Sequence, residues 1–272
     1  MELLLGKPIV EEIKNNLIEK VKQYKRKPSL SILLNEKDLS SIGYVKAIVK
    51  AADEVGITVE TIKLNTLQEY LEQIKLLNGD LNKDAVLLTR PLPLGVDEKE
   101  VIATLDYRKD VDGINPINLG KIFVGQEEIV PNTAAAIIKM LEYYHISLQG
   151  KKVLVIGRSL SVGKPVASML LNRNATVTIA HSKTSNLNDE LKNHDVIIGA
   201  VGKPHLIDGS LMKEGCVAID AGIHYLETGI VGDIKPHENL KFISKVPGGI
   251  GPITTYCLLE NVIKCFEDNY GK

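Results

Sequence analysis

Residues Gly150 to Pro165 read GKKVLVIGRSLSVGKP, and this stretch decides the fold. Lys152 to Ile156 is a short apolar run rich in β-branched residues, the pattern of a buried strand. It leads straight into a glycine-containing turn, Gly157-Arg158-Ser159, and then into a helix predicted from about Val162 to Asn172. Strand, turn and helix in that order make an anion site, because N–H groups at the helix start point into the turn and the helix dipole favours negative charge there. A dinucleotide pyrophosphate is the natural occupant. The spacing is a loose form of G-x-G-x-x-G, with Ser159 in the middle place and Gly163 one residue late. Taken alone it is equally compatible with a purely structural strand-to-helix turn.

Outward from that turn, the second half of the chain repeats the pattern. Strands are predicted at Thr176–Ala180, Val196–Ala200 and Cys216–Asp220, and glycine turns follow the last two, at Ala200-Val201-Gly202 and Asp220-Ala221-Gly222. A third glycine-rich turn, VPGGIGPIT, spans Val246 to Thr254, and a helix over Thr255 to Asn269 is expected to pack back on the first domain. Several glycine turns at successive strand ends imply a nucleotide crevice in a Rossmann-type βαβ series.

The first half alternates in the same way. Helices are predicted over Pro8–Tyr24, Ser40–Val55 and Leu67–Asn78, and strands over Leu30–Leu34, Ile57–Leu64 and Ala85–Leu88. A helix over Asn132 to Tyr144 connects to the second half. The chain is therefore α/β with mostly parallel sheets, in two domains: residues 1–125 with 255–272, and residues 126–254. Ligands bind beyond the carboxyl ends of such strands, which points at Asn35–Tyr44, Thr89–Pro93 and Lys109–Asn118.

Composition narrows the function. A formal net charge of −1 with no basic run gives no nucleic-acid footprint. No apolar run approaches the roughly 20 residues of a membrane span, and the N-terminus lacks a signal-peptide pattern, so a cytoplasmic protein is expected. Cys216, Cys257 and Cys265 have no C-x-x-C spacing and read as buried small hydrophobes, and no histidines pair at i, i+4, so no metal site is expected. Where an NAD site would place an acid, about 20 residues beyond the glycines, the chain has Ile179-Ala180-His181-Ser182-Lys183-Thr184. With no carboxylate there, and with Lys183 and Arg158 available, a 2′-phosphate is favoured, hence NADP.

These residues carry a family resemblance. Ser41-Ile42-Gly43-Tyr44 followed by Ala51-Ala52-Asp53-Glu54-Val55-Gly56-Ile57, the loop Lys109-Asp110-Val111-Asp112-Gly113 through Asn118-Leu119-Gly120, GRSLSVGKP, the His181–Thr184 turn, Gly232-Asp233 and PGGIGPIT are similar to the motifs of one family. It is the bifunctional methylenetetrahydrofolate dehydrogenase/methenyltetrahydrofolate cyclohydrolase family, and the likeness covers essentially the whole chain. It implies a reduced folate in a cleft between the domains, stacked on Tyr44 and bonded by Asp112, with Thr89, Pro91, Pro247 and Gly248 as further substrate positions. The implied NADP contacts are Gly157, Arg158, Ser159, Val162, Gly163, Ser182, Lys183, Gly202, Gly222, Ile223, Gly249 and Thr254. A homodimer is implied as well.

The chain departs from the family at its catalytic positions. The family lysine stands four residues after the tyrosine, where this chain has Ile48, and the glutamine of Q-[LV]-P-L-P falls on Thr89. The PCTP-x-G segment has become Pro131-Asn132-Thr133-Ala134-Ala135-Ala136, and Lys245 stands where a proline usually precedes VPGG. At ~100° per residue, Lys46 lies about 200° and Lys50 about 120° from Tyr44, so neither shares its helix face. Lys245 is the better substitute. A retained dehydrogenase with a weakened or lost cyclohydrolase is expected; the alternatives are an NADP-dependent oxidoreductase with a different small substrate and a catalytically silent folate-binding partner protein.

Overall fold

The computed structural model describes residues 1–35, 37–38, 41–227 and 229–270. Its first half comprises β1 (Glu2–Leu4), α1 (Lys7–Val21), β2 (Ser29–Asn35), α2 (Ser41–Val55), β3 (Thr58–Leu64), α3 (Leu67–Gly79), β4 (Ala85–Leu88), α4 (Glu98–Thr104) and α5 (Pro116–Phe123). The second half comprises α6 (Asn132–Tyr143), β5 (Lys152–Ile156), α7 (Gly163–Leu171), β6 (Thr176–Ala180), α8 (Leu187–Asn193), β7 (Val196–Gly199), β8 (Ile207–Asp208), β9 (Val217–Asp220), β10 (His224–Leu226), β11 (Gly229–Val231), β12 (Ile234–Lys235), β13 (Phe242–Ser244) and α9 (Ile250–Tyr270). The expected first residue of α2, Ser40, lies outside the described residues.

The chain forms two compact units, residues 12–121 with 127–132 and 255–272, and residues 1–11 with 122–126 and 133–254. The expected boundary placed residues 1–125 in the first unit. The structure instead gives Met1–Glu11 to the second, because β1 pairs in parallel with β13 as an edge strand.

In the unit built around Glu12–Lys121, β2 lies between β3 and β4 in a parallel sheet. Leu33, Leu64, Tyr70, Ile74, Leu77, Val86, Leu88, Val101 and Leu105 form the core beneath it. Helix α3 starts with a capping box: Thr66 accepts from the Glu69 N–H while Glu69 reaches back to the Thr66 N–H. Its far end is closed by Lys109, which is buried and donates to the carbonyls of Leu77 at 2.6 Å and Asp80 at 2.7 Å. The first residue of the KDVDG loop is thus a helix cap. Helix α9 packs into the same unit, where Asn261 Nδ2 donates to the carbonyls of Val111 and Val130.

The other unit holds a parallel six-stranded sheet in the order β1-β13-β9-β7-β5-β6. The strand order reverses at β5, with β6 on one side and β7 on the other, which defines the crevice of a doubly wound sheet. Leu154, Ile156, Ile197, Cys216, Ala218 and Ile243 are among its core residues. All three cysteines are buried, as expected. The predicted turn Val246–Thr254 is shorter than expected: α9 already begins at Ile250, since Pro252 falls in the first helical turn, where its missing N–H breaks no hydrogen bond.

Candidate functional site

The nucleotide end of the six-stranded sheet is built from backbone packed too tightly for side chains. Gly157 follows β5 with φ +131, and a Cβ there would sit 2.2 Å from the Ala200 carbonyl oxygen beyond β7. A Cβ on Gly163 would sit 2.2 Å from the Gly157 oxygen. The late glycine of the fingerprint is therefore required by the approach of α7 to the turn. Ser159 Oγ accepts from the N–H groups of Val162 at 3.1 Å and Gly163 at 3.4 Å, closing the start of α7. The N–H groups of Arg158, Ser159, Leu160 and Ser161 find no partner among the described residues. Those donors, next to the exposed Arg158, suit a phosphate.

Two buried carboxylates hold the neighbouring turns. Asp233 accepts from the N–H groups of Val201, Gly202 and Lys203, and His224 Nε2 lies 2.8 Å from its second oxygen. Asp220 accepts from Gly222, Asp233 and Ile234. Gly222 and Gly232 are glycines because a Cβ would strike Asp233 and Asp220 respectively. Sequence reasoning picked out these turns, with Asp220 and Asp233 among their motif residues, but not the hydrogen bonds by which the two carboxylates shape them. Gly202 has φ +67, and Ile223, at the head of β10, is half exposed.

The His181–Thr184 turn closes on itself: His181 N–H donates to Thr184 Oγ1 at 2.8 Å and Lys183 N–H to His181 Nδ1 at 3.1 Å. Ser182 and Lys183 are exposed, and neither Lys183 nor Arg158 makes an ion pair among the described residues. Pro247, after a cis peptide bond, Gly248 and Gly249 form a turn clamped by the N-terminal segment: Gly6 N–H donates to the Gly248 carbonyl at 2.8 Å, and a Cβ on Gly6 would strike Gly249. Thr254 lies within α9, its hydroxyl bonded to the Ile250 carbonyl. Lys245 is exposed.

In the three-stranded unit, the sequence-predicted positions gather beyond the carboxyl ends of β2 and β4. Tyr44, on the first turns of α2, is 40 % exposed, leaving ring surface open. Burial around its hydroxyl and the Asp112 carboxylate push the phenol's pKa up, against the opposing effect of Arg90. Asp112 is held from two sides: Arg90 Nη1 donates to Oδ2 at 2.8 Å and Asn132 Nδ2 to Oδ1 at 3.2 Å. Burial raises the Asp112 pKa, opposed first by Arg90. Arg90 also donates through Nε to Glu98, and Asn132 Oδ1 accepts from Asn261. Pro91 follows a cis peptide bond, its carbonyl accepting from Asn35 Nδ2 at 3.1 Å.

The two positions that the resemblance gives to the family's lysine and glutamine are both buried. Ile48 is 0 % exposed, one helical turn beyond Tyr44 on the buried face of α2. Thr89 is buried, and both its N–H and its hydroxyl donate to the Leu33 carbonyl, at 3.0 and 3.1 Å. Lys46 and Lys50 are exposed, while Ile48 and Val45 are buried. Sequence reasoning missed the bracing of Asp112 by Arg90 and Asn132. The available signal was a lone arginine between Thr89 and Pro91 in an otherwise apolar segment.

No described group of histidines, cysteines and acids could hold a metal ion, and no described helix is long and apolar enough to cross a membrane.

Comparison with known proteins agrees with this geometry. Residues 4–112 match the tetrahydrofolate dehydrogenase/cyclohydrolase catalytic domain, and residues 131–270 match the NAD(P)-binding domain of the same family. The chain is 40 % identical over 279 residues to the bifunctional protein FolD of Dictyoglomus thermophilum, covering 99 % of each chain. The crystal structure of the bifunctional methylenetetrahydrofolate dehydrogenase/cyclohydrolase from Campylobacter jejuni superposes with a TM-score of 0.95 at 38 % identity, covering 98 % of this chain and 99 % of that one. The Trypanosoma brucei methylenetetrahydrofolate dehydrogenase-cyclohydrolase, complexed with NADP cofactor and inhibitor, gives a TM-score of 0.93 at 30 % identity, covering 99 % of this chain and 98 % of that one.

Proposed function

The chain belongs to the tetrahydrofolate dehydrogenase/cyclohydrolase family, and from that premise we propose an NADP-dependent 5,10-methylenetetrahydrofolate dehydrogenase whose cyclohydrolase activity is weakened or absent. One observation carries the second clause. At the position the resemblance gives to the family lysine stands Ile48, fully buried, and at that of its glutamine stands Thr89, whose hydroxyl is spent on Leu33.

The two reactions place different demands on these residues. When bound, NADP supplies a hydride acceptor. Removing hydride from the methylene bridge leaves a cation that the two flanking ring nitrogens stabilise, so the protein must hold donor and acceptor together but need not move a proton. Tyr44, with its open ring surface, and Asp112, braced by Arg90 and Asn132, are the groups proposed to orient the folate. The open N–H groups of Arg158 to Ser161 are proposed to take the cofactor phosphates, with Arg158 and Lys183 on the 2′-phosphate. Hydrolysis of the methenyl bridge needs water attack and proton movement at a ring nitrogen. A positioned acid or base contributes ~10²–10⁴ in rate to such a step, and an isoleucine supplies neither proton nor charge.

Both activities measured on the purified protein test the proposal. NADP-dependent oxidation of methylenetetrahydrofolate with cyclohydrolase turnover far below it is the expected result, and the two turning over at comparable rates would overturn it. NADP binding without binding of any reduced folate would move the assignment to an oxidoreductase with a different small substrate. The working state proposed from the resemblance is a homodimer, which sedimentation measures directly.

A further inference from the structure

We infer that Arg90 is a specificity-determining residue which, together with Asp112, reads a lactam edge of the substrate's ring; this rests on the reduced-folate reading above. The family motif Q-[LV]-P-L-P carries an apolar residue at this position, and this chain carries a guanidinium. Its direction is fixed at two points, by Nη1 donating to Asp112 Oδ2 at 2.8 Å and by Nε donating to Glu98.

Both partners keep bonding capacity to spare. A guanidinium has five N–H donors. Among the described residues the Nη2 amino group and one Nη1 hydrogen of Arg90 have no acceptor. An ionised carboxylate offers about four lone-pair sites, and Asp112 uses one on Arg90 and one on Asn132. The Asp112 side chain is still 17 % exposed, so the remaining sites are reachable. The charges of both residues act on the phenol of Tyr44, the side chain on which the resemblance stacks the substrate.

A hydrogen-bonded Asp–Arg pair presents an acceptor and a donor side by side. The 4-oxopteridine ring of a folate presents the complement: its N3–H donates and its neighbouring O4 accepts. A 4-aminopteridine inverts both, with a bare N3 facing the carboxylate and an amino group facing the guanidinium. An apolar residue at position 90 would be indifferent at the second contact. Arginine makes the site discriminate, because the wrong ring leaves polar groups unpaired.

Calorimetric titration of the full chain with tetrahydrofolate and with its 4-amino-4-deoxy analogue tests this. The partial exposure of Arg90 keeps the expected effect well below that of a fully enclosed polar site, so the parent should favour the 4-oxo ring by about thirtyfold or more. Arg90→Leu should lower that ratio about tenfold by weakening the 4-oxo ligand, and Arg90→Lys, which keeps a donor, should restore part of it. NADP affinity and melting temperature, measured on each variant, report that the chain is intact. Equal ratios in the parent and Arg90→Leu, with both rings bound, would overturn the inference alone. If the parent binds NADP but neither ring, the folate reading falls, and this inference with it.

Discussion

The nucleotide unit and the three-stranded unit carry their chemistry in different materials. The first is made of backbone: Gly157, Gly163, Gly222 and Gly232 stand where any Cβ would collide, so the turns are dictated by packing. The second is made of side chains on a scaffold that tolerates exchange. Ile48 fills a buried helix position and Thr89 bonds its neighbouring strand, so packing and hydrogen bonding accommodate each side chain where it stands. A site written in backbone geometry is lost all at once, whereas a site written in side chains can lose one activity and keep the fold.

The largest expected effect tests the side-chain half. Ile48→Lys with Thr89→Gln should raise cyclohydrolase turnover by ~10²–10⁴ while changing dehydrogenase turnover by much less. The lysine enters a fully buried position and lowers the melting temperature, which is measured alongside. If hydrolysis does not rise in a folded double variant, the folate does not lie as the resemblance implies and the comparison breaks.

The backbone half is tested by Gly157→Ala. The residue has φ +131, and the added methyl would meet the Ala200 carbonyl at 2.2 Å, so the turn must move. A stability loss of roughly 2–4 kcal/mol and at least about a tenfold loss of NADP affinity are expected from thermal unfolding and titration. An unchanged affinity would show that this turn is not the phosphate cradle.

How much of this could be read from the sequence follows the same division. The strand-turn-helix at Lys152–Leu171 was legible because its glycines and periodicity are local. β1 was not, because three residues carry no usable period and the strand exists only by pairing with β13 at the far end of the chain. The bracing of Asp112 by Arg90 and Asn132 was hidden for the same reason: hydrogen bonds between residues 90, 112 and 132 leave no spacing to detect. Lys109 and Asp110 read as part of a binding motif, yet the first caps α3 and the second ties its own loop.

Asp110 sharpens that last point. It is 2 % exposed, and burial lifts its pKa from 3.8 to about 6, although the Asn115 N–H and Asn118 Nδ2 bond to it. A carboxyl raised in the folded state contributes its full stability below pH 3.8 and loses it as the pH rises through about 6. The shift of about two units corresponds to about 3 kcal/mol. Asp110→Asn keeps an acceptor oxygen without the charge, so the stability difference between variant and parent should grow in the variant's favour from pH 4 to pH 7. A difference that does not vary with pH would show that folding leaves the Asp110 pKa where it is in the unfolded chain.

The smallest effect concerns the cofactor's 2′-phosphate. The shape of the His181–Thr184 turn is held by His181 and Thr184, through bonds of 2.8 and 3.1 Å that involve no Lys183 side-chain atom. Lys183→Asp therefore changes charge without changing the turn. An acid there would accept from a ribose 2′-hydroxyl and repel a 2′-phosphate, moving the NADP to NAD preference in kcat/KM by about tenfold, less at high salt because the site is exposed. A ratio that stays put would transfer the phosphate to Arg158, which lies in the backbone-built turn itself, and would leave the nucleotide unit's selectivity, like its shape, in the Gly157–Gly163 loop.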